Sequence, residues 1–364
     1  MSINIFSPSG SYTSPSITNL LGNGQGGTID SYLFSHRIPI TIHGNESASA
    51  ADYQMKLNIY NSTGTNVTGV NCSGAAGTVY AGTSSFSSSA FSDLRFGTVG
   101  ATTGLPYWIE SSSASVSAVV WVKLPAIPAS ASADTTIYMY YGNAGASAGS
   151  DPSTTFIVGD DFRRADNATV GGGWTAPAIY SINTLRLKNS GAALGSCYQA
   201  YTISGKKMVE ASLSIVSNAK NAELKVTTTN KSYRLSTATV SVDNKIYWLD
   251  TSGGYWHDTG IVYVANTPIK FSIMLDTVAD KGTYYVNGID KSGAVTGYNE
   301  SESNTVMVQS IVTAKATEFY TYWFFVRNWT TNEPTWSSFG AEEGNSFTFT
   351  SQTSNIIIGD EVSE

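Results

Sequence analysis

The sequence predicts an all-β protein made of two β-sandwich, jelly-roll-like domains in series, with an irregular N-terminal arm and a β-prone C-terminal tail. Three observations predict it. Apolar residues recur with period two in many short runs, which puts them on one face of a strand. Turn residues separate those runs, and no window of ten or more residues carries an i, i+3, i+4, i+7 apolar stripe, so strands rather than helices fill the chain. Charged residues are only 13% and aromatic residues 12%, with 21 Tyr and 8 Trp. Such a chain has the side chains a core needs, which disordered segments lack, and its residues suit strands and tight turns.

The elements follow in chain order. Residues 1–30 read as an arm, because Ser7-Pro-Ser-Gly10 and Gly22-Asn-Gly-Gln-Gly-Gly27 are turn and linker chemistry. In the first domain, 31–153, Tyr53, Met55, Leu57 and Ile59 share one strand face, and Gln54, Lys56 and Asn58 share the other. Val120, Val122 and Leu124 repeat the pattern around Trp121 and Lys123, and Pro125 and Pro128 are expected to stop that strand. Ile137, Met139 and Tyr141 form another, before a small-residue linker over 144–153. In the second domain, 156–343, Val209, Ala211, Leu213 and Ile215 alternate with Glu210, Ser212 and Ser214. Ile269, Phe271, Ile273 and Leu275 do likewise, as do Tyr320, Tyr322, Phe324 and Val326 against Trp323, Phe325 and Arg327. Asn230-Lys231 and Asn287-Gly288 sit where hairpin turns belong. The tail, 344–364, carries Phe347, Phe349 and Ile356-Ile-Ile358, which are expected to add to a sheet edge, most naturally of a neighbouring copy.

Two stretches resemble known modules. Ser35-His-Arg-Ile-Pro-Ile-Thr-Ile42, Asp52–Leu57, Asp93–Phe96, Leu105–Glu110, Val120–Pro128 and Thr136–Asn143 occur in an order that is similar to the prokaryotic surface-protein domain of unknown function family 2341. Asp160-Asp-Phe-Arg-Arg-Ala-Asp166 with Val170–Trp174, Pro268–Asp276 with Tyr284–Gly288, and Val326–Pro334 ending at Phe339–Glu343 resemble concanavalin A-like and laminin-G-like domains. The second resemblance implies a lectin-like sandwich with glycan binding. Neither implies a reaction.

The chemistry agrees with a binding protein. The formal net charge is −7, and no Lys/Arg run offers the basic stripe that nucleic acid needs; Arg163-Arg164 is flanked by Asp160, Asp161 and Asp166. No apolar run is long enough for a membrane span. The first residues lack a secretory signal's charged and apolar regions, so an extracellular protein is expected either to have lost its signal or to leave the cell within a virion. A glycosidase needs two carboxylates about 5–9.5 Å apart, and no Glu-x-Asp-x-x-Glu strand motif is present; Glu300, Glu302, Glu342 and Glu343 read as solvated. His36, His43 and His257 form no metal pair or triad signature.

The segment Trp248-Leu-Asp-Thr-Ser-Gly-Gly-Tyr-Trp-His-Asp258 is the candidate site. Rings stack on sugar faces and carboxylates accept hydroxyl bonds, so Trp248, Tyr255, Trp256, His257 and Asp258 are the expected glycan platform. The competing reading is a hairpin whose rings pack on the sheet. Calcium is the one cofactor kept open, on oxygen donors from Asp160, Asp161, Asp166, Asp250, Asp258, Asp276 and Asp280 whose spacing singles out no set. Asn61, Asn66 and Asn71 cluster as glycosylation acceptors. Cys72 and Cys197 are either two inert thiols or a disulfide pair. The expected function is non-enzymatic adhesion or receptor binding on an extracellular or virion surface, through glycans or glycoproteins. The alternatives are a structural subunit that self-assembles through its ends, and a secreted glycan-active enzyme.

Overall fold

A computed structural model describes residues 34–69, 76–82, 86–98, 103–191, 195–216, 221–227, 232–237, 243–249, 254–279, 281–293, 295–296, 303–310 and 318–344, with the short pieces 6–7 and 10–11. Nearly every element is a strand; one four-residue helix, Pro152–Thr155, is capped by Asp151, which accepts from the Ser153 amide. Apart from those short pieces and Gly344, the expected arm and tail lie outside the described residues, as do Cys72, Asn71 and Asn230-Lys231.

The first sandwich packs a sheet built on Thr335–Phe339, His36–His43, Thr135–Tyr141 and Arg95–Thr98 against one built on Gly77–Tyr80, Ala50–Tyr60, Ser117–Ile127 and Tyr107–Ser113. Its core holds Ile38, Ile40, Ile42, Tyr53, Met55, Leu57, Ile59, Val120, Val122 and Leu124, the inward faces expected from alternation. The strand Ser117–Ile127 does not stop at Pro125. Opposite it the ladder skips Asp52, which has φ 48°, pairing Ala51 with Ala126 and Tyr53 with Leu124. Pro125 therefore sits at an irregularity, where its missing N–H leaves no ladder bond broken.

The second sandwich packs a sheet ordered Tyr180–Ile182, Leu187–Asn189, Phe319–Asn328, Lys206–Ile215, Ile269–Asp276, Lys281–Val286 against one ordered Gly195–Ile203, Ser303–Ser310, Glu223–Thr227, Ser232–Thr237, Lys245–Leu249, Trp256–Val262. Asn287 and Gly288, with φ of 51° and 80°, make the tight hairpin turn after Val286. In Phe319–Asn328 the expected face is corrected. The register slips between Ser212 and Leu213, which pair with Trp323 and Thr321. Tyr322 is thus the extra residue of a bulge, and Phe319 joins Phe324 and Val326 in the core while Tyr322 packs against the other sandwich. Cys197 is a free thiol buried in this core, and burial pushes its pKa up.

Two arrangements join the sandwiches. The strand Thr335–Phe339 and the pair Glu343–Gly344 lie on His36–His43, so the last described strands complete the first sandwich although they follow the second in sequence. Trp336 is fully buried there, its indole N–H donates to the Lys56 carbonyl (2.8 Å), and a Cβ on Gly77 would come within 2.2 Å of its ring.

The second arrangement is a seam between Ser117–Ile127 and Phe319–Asn328. Phe156 and Phe325 stack with centroids 4.0 Å apart, and Trp108 and Trp121 meet them edge-on. Beside the rings, Arg327, Glu210 and Glu333 are 1%, 2% and 3% exposed. Arg327 donates to Glu210 Oε1 (3.2 Å) and Glu333 Oε1 (2.7 Å), while Tyr53 donates to Glu333 and Ser272 to Glu210. Lys270 pairs with Glu210 as well. Gln54, on the polar face of its strand, is buried in this seam, accepting from the Asn328 amide and donating to the Thr155 carbonyl.

Burial alone would push the Glu210 carboxyl up, but Lys270 and Arg327 outweigh it and bring it down to about 2. A carboxylate with a depressed folded pKa stabilises the fold above its unfolded pKa, and that contribution is lost as pH falls towards 2. The acid limb of the stability curve below about pH 4.5 is therefore expected to be shallower in Glu210→Gln than in the parent chain, measured by urea unfolding at several pH values. Superimposable limbs would show that Glu210 is not held low.

Candidate functional site

The candidate segment lies at one edge of the six-stranded sheet, where Trp256–Val262 is the last strand. Residues directly opposite on neighbouring strands share a face, and successive residues alternate. One row runs Leu224, Leu235, Trp248, His257, and Leu224 and Leu235 lie in the core. Trp248 and His257 therefore sit on the inward side, stacked at 4.2 Å, with Trp248 stacked in turn on buried Tyr284 at 5.4 Å. Tyr284 donates to the Leu249 carbonyl (2.8 Å) and so ties this hairpin to the opposite sheet.

The outward face carries two other rows, Glu223, Ser236, Tyr247, Asp258 and, two residues along, Lys225 with Arg234 and Leu249 with Trp256. Trp256 is half-buried, with the Arg234 guanidinium 5.5 Å from its ring centroid. Tyr255 is 71% exposed. Asp258 accepts from Lys245 (2.6 Å) and from the Gly260 amide (2.8 Å), and these two bonds hold its carboxyl below the usual range. Tyr247 donates to Asp243 (2.6 Å). The expected five-residue platform is thus split. The structure brings Tyr255, Trp256 and Asp258 to the outward edge, packs Trp248 against the core, and leaves His257 exposed on the Trp248 ring.

Glu223, Lys225, Arg234 and Lys245 belong to this face and were not singled out in the sequence. The signal was present: in Glu223-Leu-Lys-Val and Tyr233-Arg-Leu-Ser236 the polar residues alternate with core residues. Glu223 is fully buried and accepts from Arg234 through one oxygen, at 2.8 and 2.9 Å. Burial raises its carboxyl to about 7 against the opposing pull of Arg234.

Glu223 and Asp258 are the carboxylates of one row. They stand three strand spacings apart, roughly 14 Å, wider than the about 5–9.5 Å that glycoside hydrolysis requires. Elsewhere, Asp134 accepts from Ser337 (2.8 Å) and bonds His43 (2.7 Å), and these bonds, His43 first, hold its carboxyl down. Here the carboxylate lies between serine and histidine, whereas nucleophile activation needs the histidine in the middle.

The aspartates considered for calcium do not converge. Asp160 takes the Trp174 indole N–H and both bonds from Arg164; Asp166 caps the Thr184 amide; Asp276 caps Val278 and Ala279. Asp161 accepts from the Arg163 amide and the Trp108 indole. Among the described residues no group of three or more His, Cys, Asp or Glu side chains is placed to hold a metal; Asp250 and Asp280 lie outside them. Of the glycosylation candidates, Asn61 Nδ2 donates to the Ser115 carbonyl, and Asn66 Oδ1 accepts from the Tyr80 amide. Among the described residues no helix is long and apolar enough to cross a membrane.

The family described as Domain of unknown function (DUF2341) matches residues 90–176, a stretch that begins in the first sandwich and ends at the opening strands of the second. No curated protein matches the chain. Among solved structures the chain is similar to a sialidase at 13% identity and TM-score 0.35, covering 54% of this chain and 20% of that one; it therefore spans about a fifth of the sialidase's length. It is also similar to the Emp47p carbohydrate recognition domain at 11% identity and TM-score 0.33, covering 47% and 96%. A carbohydrate-binding module from Bacillus subtilis aligns at 8% identity and TM-score 0.34, covering 43% and 96%.

Proposed function

We propose that this chain is a non-enzymatic binding protein of an extracellular or virion surface, recognising glycans or glycoproteins through the outward edge of its second, concanavalin A-like sandwich. The units are 31–153 and 156–343, the latter lending its closing strand to the former. The observation that carries the reading is Trp256, a half-buried ring beside the freely exposed Tyr255 and the fixed carboxylate of Asp258. A planar apolar surface next to oriented polar groups is the chemistry that takes a sugar. The wide spacing of Glu223 and Asp258 argues for binding without hydrolysis at this face.

Trp256→Ala is expected to weaken glycan binding by about 1–3 kcal/mol with the melting temperature retained. Trp248→Ala is expected to lower the melting temperature instead, because it removes a ring stacked on the core. Glycan-array binding with thermal melts of both variants checks this, and a Trp256→Ala protein that folds and binds normally would rule the platform out.

A structural role in self-assembly is the second reading. It is favoured by the strand Trp256–Val262, which among the described residues has no strand on its outer side, and by Val262 and Val264, 63% and 65% exposed, since an unpaired apolar edge is a template for strand addition. Sedimentation of the purified chain across a concentration series tests it; a monomer throughout would set it aside.

A further inference from the structure

At one end of the outward face of the six-stranded sheet, two cations share one carboxylate among the described residues. Lys225 and Arg234 are directly opposite on adjacent strands, an arrangement that like charges disfavour. One carboxylate, Glu223, serves them both by position, and its ion pair is with Arg234, through a single oxygen. Its other oxygen, Oε1, is buried with no hydrogen-bond partner. Lys225 is half-buried; burial first, then Arg234, lowers its pKa, with Glu223 opposing. The strand on the other side brings no further counter-charge: the positions opposite Glu223 and Lys225 are Gln309 and Met307. Farther along the face Lys245 pairs with Asp258, and Asp243 takes the Tyr247 hydroxyl.

We infer that the glycan held at this face is anionic, its carboxylate or sulfate group taken by Lys225 and Arg234 while a sugar ring lies against Trp256. The inference rests on the glycan-binding reading above and adds the ligand's charge. A half-buried lysine beside an arginine costs stability in the empty protein, and an incoming anion removes that cost on binding. Arg234 is already held in place by Glu223, so its remaining N–H groups meet the ligand with little side-chain ordering left to do. The same guanidinium lies over the Trp256 ring, which links the charged and the apolar halves of the site.

The test uses the full chain on an array carrying neutral, uronate-bearing, sialylated and sulfated glycans, with Trp256→Ala, Lys225→Met and Lys188→Met as variants. Lys188 pairs with Glu318 on the other sheet and is the control for diffuse charge. Binding is expected only to anionic glycans. It should fall at least tenfold in Lys225→Met at an unchanged or raised melting temperature, fall in Trp256→Ala, and persist in Lys188→Met. Uronate and sialylated spots against sulfated spots tell carboxylate from sulfate. Neutral glycans bound through Trp256 and insensitive to Lys225→Met would overturn the anionic inference and leave the glycan reading standing. Equal losses in Lys225→Met and Lys188→Met would overturn it as general charge attraction. No binding that depends on Trp256 would overturn both.

Discussion

Arg327→Ala is expected to lower the unfolding free energy by about 3–5 kcal/mol, the range for removing one partner of a buried ion pair. The side chain is 1% exposed and bonds two carboxylates, Glu210 and Glu333, that are themselves buried. Its loss leaves Glu333 with only the Tyr53 hydroxyl on Oε1 and nothing on Oε2, which already lacks a partner. It also removes the cation 5.4 Å from the Trp121 ring centroid. Because Tyr53 and Trp121 belong to the first sandwich and Glu210 to the second, both sandwiches should be destabilised by this one change. Chemical unfolding followed separately by tryptophan fluorescence and by far-ultraviolet circular dichroism measures it. A combined change of Arg327, Glu210 and Glu333 to apolar residues of similar volume is expected to cost less than Arg327→Ala alone, since it leaves no buried charge unpaired. A loss under about 1 kcal/mol in the single variant would show that the seam opens to water and that the pairing contributes little.

Trp336→Ala is expected to cost about 3–5 kcal/mol, the range for truncating a buried large aromatic residue. The ring is fully buried, lies on Gly77 and donates to the Lys56 carbonyl. Its removal leaves a cavity between Thr335–Phe339 and the opposite sheet, and a buried carbonyl loses its donor. The damage should fall first on the first sandwich, although Trp336 lies 195 residues beyond Tyr141, where the strand Thr135–Tyr141 ends. Limited proteolysis with mass spectrometry reads this directly: cleavage within 34–143 should rise before cleavage within 195–290. By the same logic a fragment ending at residue 153 is expected to remain unfolded, because it lacks the strand that pairs with His36–His43. A stably folded fragment of that length would mean the closing strand is dispensable.

Much of the inward architecture was legible in the alternation. Tyr53, Met55, Leu57 and Ile59, or Val209, Ala211, Leu213 and Ile215, occupy the core as their spacing requires. The polar faces of the same strands were less legible. Gln54 and Glu210 have the look of solvated positions, yet each is buried in the seam between sandwiches. A strand's pattern reports which side is apolar, and it cannot report that a second domain covers the polar side with matching charges. The candidate site shows the same division. In the aromatic-rich run 248–258, alternation across two paired strands puts Trp248 and His257 in one row and Trp256 and Asp258 on the opposite face. Arg234 and Lys225 reach that face from strands that carry no aromatic signal of their own.

The sequence by itself determined the fold class, the strands and the absence of long apolar helices in its pattern, because period-two burial and turn chemistry are local properties of the chain. Tertiary structure alone decided where the polar faces go, which rings are exposed, and which sandwich Thr335–Phe339 completes. Those depend on pairings between residues hundreds of positions apart, such as Trp336 with Ile42 and Tyr53 with Glu333. A strand edge accepts any strand with compatible backbone and faces, so the partner is chosen by the packing of the whole molecule.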